Sequence, residues 1–441
     1  MKKALEEILG EFYESGIQDD VRPRSIHLLE KPHSISVVTG MRRTGKTYLT
    51  YLRMQELLKS GIALERIVHV SFDDERLNHF SVDDLHLINE LHATFFPEAA
   101  RQKCWFFLDE LQNVEGWELY ARRLLDTPQI QLCLTGSSSR LLSSEIATQL
   151  RGRSLETEVF PLSFSEMLTY NGIFAKLPSP PYSTRTMGQL RNAMSRYLEE
   201  GGFPDVQGTP PRLRIQMLQG YVQSVLYRDV LERHEVPSIQ ALQYTLDYLL
   251  HNFARKISTR AISGALKFNG VSSNREAIGD YLRYFREAYL TYPVSLRTDS
   301  QTIRNANPDK YYLVDTGLLR AMQPRNDAER GWLLENLVFL ALRRGFQKIE
   351  YYNCKEGGEI DFFVTDKLTH DKRLVQVAWE LEDEATCKRE ILTLKNAMQE
   401  TGIQDATIVT WDEKERVQDG VRIVPMWKWA LEESSRQVVE I

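Results

Sequence analysis

"SISVVTGMRRTGKTYLTYL", residues 34–52, sets a short apolar run directly against Gly40-Met41-Arg42-Arg43-Thr44-Gly45-Lys46-Thr47. The spacing Gly-x-x-x-x-Gly-Lys-Thr is that of a Walker A loop. Its glycines let the backbone curl so that N–H groups converge on phosphate oxygens at a helix N-terminus. Lys46 is placed to meet β- and γ-phosphates, and the Thr47 hydroxyl to ligate Mg²⁺. Such a loop needs a strand before it and a helix after it. SISVVTG supplies the strand, and the pattern from Lys46 towards Leu58 supplies the helix.

Working outward, IVHVSF (67–72), CWFFLD (104–109), IQLCLTG (130–136) and LETEVF (155–160) are further apolar runs separated by helical patterns. That alternation predicts an α/β fold, a parallel-sheet P-loop core with crossover helices. WFFLDE (105–110) ends its strand in two carboxylates: Asp109 to hold the Mg²⁺ shell, and Glu110 to orient and deprotonate an attacking water. Beside a phosphate loop the pair points to hydrolysis rather than simple binding. LCLTGSSSR (132–140) ends the next strand in small polar residues, where P-loop ATPases place a γ-phosphate sensor. Ser137 is the first choice and Ser138 the second. LRGR (150–153) offers Arg153 as an arginine finger for a neighbouring subunit, with Arg151 and Arg140 as rivals.

The first sixteen residues, MKKALEEILGEFYESG, form an amphipathic helical pattern without the apolar stretch and small-residue cleavage site of a signal peptide. Beyond the sheet, FAKLPSPPYSTRT (174–186) has loop composition, and helical texture follows to about residue 250. Residues 238–290 give three short helical patterns, and a strand-like pair centred on TYPVSL and KYYLVD follows, the outline of a winged helix. From Trp332 the order is helix, IEYYN, EIDFFVT, RLVQVAW, helix, DATIVTW. The expected segments are an N-terminal helical segment 1–30, an ATPase core 31–165, a helical lid 166–237, a winged helix 238–328 and a separate α/β unit 329–441.

Taken in order, the phosphate loop, WFFLDE, LTGSSS and LRGR make the chain resemble the AAA+ ATPases. Within them it is similar to the bacterial and archaeal group that joins an ATPase core to a C-terminal domain of unknown function. FPLSFSEML (160–168), GGFPDV (201–206), YRDVLERH (227–234), YYLVDTGLL (311–319) and GGEIDFFV (357–364) carry the likeness from about residue 20 to the end. The resemblance implies ATP and Mg²⁺ at the first domain, a helical lid, a winged helix, a C-terminal restriction-endonuclease-like α/β domain, and action as a homo-oligomeric ring or partial ring.

An endonuclease of that fold needs an acid on a helix, an acid at a strand start and Asp/Glu/Gln-x-Lys on the next strand. Glu335, Asp361 (behind Glu359) and Gln376 stand at those places, but Gln376-Val377-Ala378 puts alanine where lysine belongs. No spacing argument makes Lys355 or Lys372 its substitute, so the site is expected to be degenerate. GGFPDV admits two readings, a helix C-cap before a proline turn or a lid hinge that contacts nucleotide.

A net charge of −6, from 55 basic and 61 acidic residues, excludes coating of nucleic acid by bulk charge. DNA contact must then come from a local patch. The winged-helix region carries Arg255, Lys256, Arg260, Lys267, Arg275, Arg283 and Arg286, and Ser272-Ser273-Asn274-Arg275 opens its third helix. Lys256, Arg260, Ser273, Asn274 and Arg275 are the candidate DNA contacts. Four scattered cysteines without Cys-x-x-Cys spacing suggest neither disulfides nor zinc. No apolar run reaches the length of a membrane span, and a cytoplasmic home is expected. The reading is a Mg²⁺-dependent ATPase acting on DNA. A protein remodeller or signalling switch is the alternative, and a nucleotide-gated nuclease is disfavoured.

Overall fold

Four runs rich in β-branched, aliphatic and aromatic residues and a more polar fifth strand build the first sheet: β1 (Ile35–Thr39), β2 (Ile67–Ser71), β3 (Cys104–Asp109), β4 (Ile130–Gly136) and β5 (Ser154–Glu158). All pair in parallel, in the order β2-β3-β4-β1-β5. β1 and β3 are buried at every position, as a sheet covered on both faces requires. Alternation divides the side chains. Val37, Phe106 and Leu134 join one core with Leu5, Leu9 and Trp117, whereas Val38, Phe107 and Cys133 join another with Leu49 and Met54.

This computed structural model describes residues 1–18, 20–138, 150, 152–323, 329–346, 348–366 and 368–439. The chain divides into two units, Met1–Phe160 with Glu287–Tyr289, and Pro161–Arg286 with Leu290–Ile441.

In the second unit, helices Phe164–Tyr170, Thr184–Glu200 and Pro211–Ser224 precede a helix–strand–helix–helix–strand–strand run. Its parts are helix Ile239–His251, β6 (Lys256–Ile257), helices Thr259–Phe268 and Arg275–Glu287, β7 (Thr291–Val294) and β8 (Asp309–Leu313). These strands form an antiparallel sheet in the order β6-β8-β7. Helix Arg330–Gly345 leads to β9 (Lys348–Asn353), β10 (Glu359–Thr365), β11 (Lys372–Ala378), helix Glu384–Thr401, β12 (Ala406–Thr410), β13 (Arg416–Gln418), β14 (Val421–Pro425) and helix Met426–Val439. The sheet order is β13-β14-β12-β11-β10-β9, with β11, β12 and β14 parallel and the other pairs antiparallel.

GGFPDV and YYLVDTGLL meet in this unit. Gly201 lies at φ 74° and its N–H donates to the Tyr197 carbonyl, so it terminates helix Thr184–Glu200. The Asp315 carboxylate accepts from Gly202 N–H at 2.7 Å and from Gly317 N–H at 2.8 Å, capping helix Thr316–Met322. A Cβ at Gly202 would stand 2.2 Å from the Leu162 carbonyl oxygen, and one at Gly201 1.9 Å from Asp315 Oδ1. Burial pushes Asp315 up to about 6, against the pull of those backbone donors. GGFPDV is thus a helix stop clamped by an aspartate 113 residues away.

Candidate nucleotide site and a lysine–carboxylate cluster

The phosphate loop sits between β1 and helix Lys46–Lys59. Gly40 (φ 136°) and Gly45 (φ 95°) take conformations that L side chains avoid, and Arg43 is left-handed at φ 69°. A Cβ at Gly40 would stand 2.3 Å from the Val159 carbonyl oxygen. Gly45 is the N-cap of the helix, so the loop ends at a helix start, whose first N–H groups have no partner within the helix itself. Arg24 fastens the turn from outside, donating to the carbonyls of Thr44 at 3.0 Å and Phe160 at 2.9 Å. Inside, Thr44 Oγ1 and Lys46 Nζ both donate to the Met41 carbonyl.

The carboxylates of β3 arrive at the same edge. Thr47 Oγ1 donates to Asp109 Oδ2 at 2.9 Å, and Lys46 Nζ lies 3.8 Å from Glu110 Oε1. Asp109, Glu110 and Lys46 are all buried. Burial first and Glu110 second push the Asp109 carboxyl up to about 6, with hydrogen bonds from Thr135 and Thr47 opposing. Glu110 is left-handed at φ 52°, a conformation that costs about 1–3 kcal/mol in a non-glycine residue. That twist turns it out of the strand and into the loop. Ser137 Oγ donates to Glu110 Oε2 at 3.3 Å, and Gln112 Nε2 also bonds that carboxylate.

Thr135 was missed by the sequence reading. Its hydroxyl bonds Asp109 Oδ1 and accepts from Glu110 N–H at 3.1 Å, bridging both acids from β4. The available signal was its register: it is the last side chain of β4 before Gly136, next to the strand that carries Asp109. Ser138 is buried. Arg153, just before β5, pairs with Asp126 Oδ1 at 3.4 Å. Arg140 and Arg151 lie outside the described residues.

Of the candidate DNA contacts, Arg260, Asn274 and Arg275 are exposed and Ser273 half-buried. The Asn274 side chain accepts from Ala277 N–H at 2.7 Å, so it also caps helix Arg275–Glu287. Lys256 departs from the expectation. Its ammonium pairs with Glu359 and lies over the Tyr351 ring, which takes it away from the DNA-facing set.

Glu335 and Asp361, expected at a degenerate endonuclease-like site, come together around a cation the sequence reading did not foresee. Lys310 of β8 places Nζ 3.0 Å from Glu335 Oε1, 2.9 Å from Glu359 Oε1 and 2.9 Å from Asp361 Oδ1. Tyr312 donates to the same Glu335 oxygen, and Val377 N–H to Asp361 Oδ2. Gln376 faces away from the cation, accepting from Asp361 N–H and donating to Glu390. Burial and the neighbouring Asp361 push Glu335 up to about 7. Burial alone would lower Lys310, but its three carboxylates hold it well above the ordinary lysine value. The ammonium therefore comes from neither Lys355 nor Lys372.

No described helix is long and apolar enough to cross a membrane. Residues 32–168 match the family described as "AAA domain", and residues 191–329 the "Domain of unknown function (DUF8612)". An uncharacterised protein of Methanocaldococcus jannaschii, MJ1544, is 33% identical over 98% of this chain and 96% of its own. An uncharacterised protein of Haemophilus influenzae is 28% identical over 90% of this chain and 94% of its own. Among solved structures, the Walker-type ATPase of Pyrococcus abyssi is 14% identical at a TM-score of 0.44, covering 73% of this chain and 95% of that one. The chain belongs to the AAA-domain ATPase family, in the group whose ATPase domain is followed by a domain of unknown function.

Proposed function

We propose that the chain hydrolyses ATP with Mg²⁺ and couples the cycle to a conformational change that acts on DNA. The observation that carries this is the convergence of Lys46, Thr47, Asp109 and Glu110 on one sheet edge. Thr47 and Asp109 form a hard-oxygen pair suited to Mg²⁺ alongside phosphate oxygens. When bound, that ion would neutralise phosphate charge. Lys46, held in reserve by the Met41 carbonyl and Glu110, moves to the β- and γ-phosphates. Release from Lys46 leaves Glu110 to orient the attacking water and accept its proton. Ser137 holds the Glu110 carboxylate in place, and Arg153 of a neighbouring copy steadies the charge that develops on the transferred phosphoryl group.

In the same reading, residues 166–237 act as the lid, and 238–328 as a winged helix that meets DNA through Arg260, Ser273, Asn274 and Arg275. Residues 329–441 are an endonuclease-like unit without cleavage. The helix–strand–helix–helix–strand–strand order supports the winged helix. The antiparallel β9-β10-β11 followed by a crossover to β12 supports the endonuclease-like sheet.

The test is steady-state ATP hydrolysis without DNA and with single-stranded, duplex and four-way-junction DNA. Turnover is expected to vanish in Lys46→Ala, to fall by about 10² or more in Glu110→Gln, and to rise with one DNA form. Turnover indifferent to every DNA would move the assignment to a protein-directed switch. Turnover that survives Lys46→Ala would sink the hydrolase assignment.

A further inference from the structure

The cluster around Lys310 poses a question of fit. An endonuclease of this fold would place a divalent metal between the carboxylates of Glu335 and Asp361. Here each carboxylate already has partners. Asp361 Oδ1 faces Lys310 and Oδ2 faces Val377 N–H. Glu359 gives Oε1 to Lys310 and Oε2 to Lys256. Glu335 Oε1 takes both Lys310 and the Tyr312 hydroxyl. With Lys310 among these acids, no group of three or more His, Cys, Asp or Glu side chains among the described residues could hold a metal ion.

Nor is the ammonium poised to leave. Lys310 is buried, and its backbone is paired on both sides, opposite Lys256 in β6 and Val294 in β7. Two ammoniums against three carboxylates leave a formal charge of at most −1. A divalent cation would turn this buried site net positive at van der Waals distance from an existing cation. Uncompensated charge of that kind is costly in a protein interior.

We infer that Lys310 is the resident cation of this centre: it stands among the three carboxylates a divalent metal would need, bolts β8 to the C-terminal sheet, and masks a divalent-cation site that its removal opens. The inference rests on the Lys310 geometry and is independent of what the phosphate loop does.

The experiment measures Mn²⁺ bound per chain by electron paramagnetic resonance, in full-length protein without nucleotide. Melting temperature is read with and without Mn²⁺. The arms are wild type, Asp361→Asn, Lys310→Met and Lys310→Met/Asp361→Asn. Any Mn²⁺ held at the phosphate loop is common to all four and cancels in the comparison. Wild type and Asp361→Asn are expected to bind Mn²⁺ alike. Lys310→Met should bind one additional Mn²⁺ and be stabilised by it, and the double variant should fall back to the wild-type level. Loss of a bound Mn²⁺ on Asp361→Asn alone would make the centre a metal site and overturn the inference. So would a folded Lys310→Met that binds no more Mn²⁺ than wild type. If Lys310→Met does not fold, equal binding by wild type and Asp361→Asn supports the inference and unequal binding overturns it.

Discussion

Thr135 holds both acids of the nucleotide site through one hydroxyl, and its replacement by valine keeps shape while removing that bridge. Asp109 would lose a hydrogen bond that favours its charged form, and its carboxyl, already at about 6, would rise further. Thr135→Val is therefore expected to lower kcat by about 10- to 100-fold and, in nucleotide-free protein, to move upward the pH at which Mg²⁺ binding is lost. Nucleotide-free protein should itself bind Mg²⁺ less well as pH falls through about 6, where Asp109 takes up a proton. A Mg²⁺-binding profile unmoved by the substitution would contradict the bridge. His69 gives a second pH dependence, in stability. Its Nε2 is buried without a hydrogen-bond partner, and burial pushes the imidazole down to about 4. A depressed histidine contributes stability that is fully present above the unfolded value near 6.5 and is lost as pH falls towards 4. The loss is on the order of 3 kcal/mol. Denaturant unfolding of wild type and His69→Gln at pH 7 and pH 4.5 should show the wild type losing more.

Elements with a short, regular period were legible in the sequence. The first four strands of the first sheet follow from apolar runs of the right length, and the loop at residues 40–47 from local spacing alone; β5, Ser-Leu-Glu-Thr-Glu, is marked instead by polar–apolar alternation. The β13–β14 hairpin was missed, although Asp419-Gly420 is a strong two-residue turn signal. Both residues are left-handed, at φ 53° and 82°, as such a turn requires. What sequence could not give is partnership at a distance. Lys310 reaches Glu335 and Asp361 across 25 and 51 residues, and no periodicity marks a lysine in an apolar strand as their counter-ion. The Asp315 clamp is hidden in the same way, and it is the element whose loss should be felt most. Asp315→Ala leaves the Gly202 and Gly317 N–H groups buried without partners and should cost about 2–6 kcal/mol. Asp315→Asn, which keeps an acceptor, should cost less. Thermal unfolding of the two variants checks the ordering.

At the scale of the whole molecule, the finger proposed for Arg153 would make activity a property of the assembly, since it would work from a neighbouring copy. Arg153→Ala is expected to keep ATP binding while lowering kcat by about 10³ or more, and wild-type specific activity should rise with protein concentration. Mixing Arg153→Ala with Lys46→Ala chains should restore some turnover, because each lacks a part the other holds. No recovery, with specific activity flat across concentration, would assign Arg153 a role within its own chain. The lysine–carboxylate cluster has a different consequence, for where the polypeptide can be cut. A fragment of residues 329–441 keeps Glu335, Glu359 and Asp361 but loses Lys310 and Lys256. It would fold around three acids stripped of both their counter-ions, and should be recovered as an aggregating species that gains order only as the pH is lowered. A fragment that begins before Lys256 carries its own neutralising charge, so the smallest autonomous piece of the C-terminal half starts well upstream of the sheet it contains.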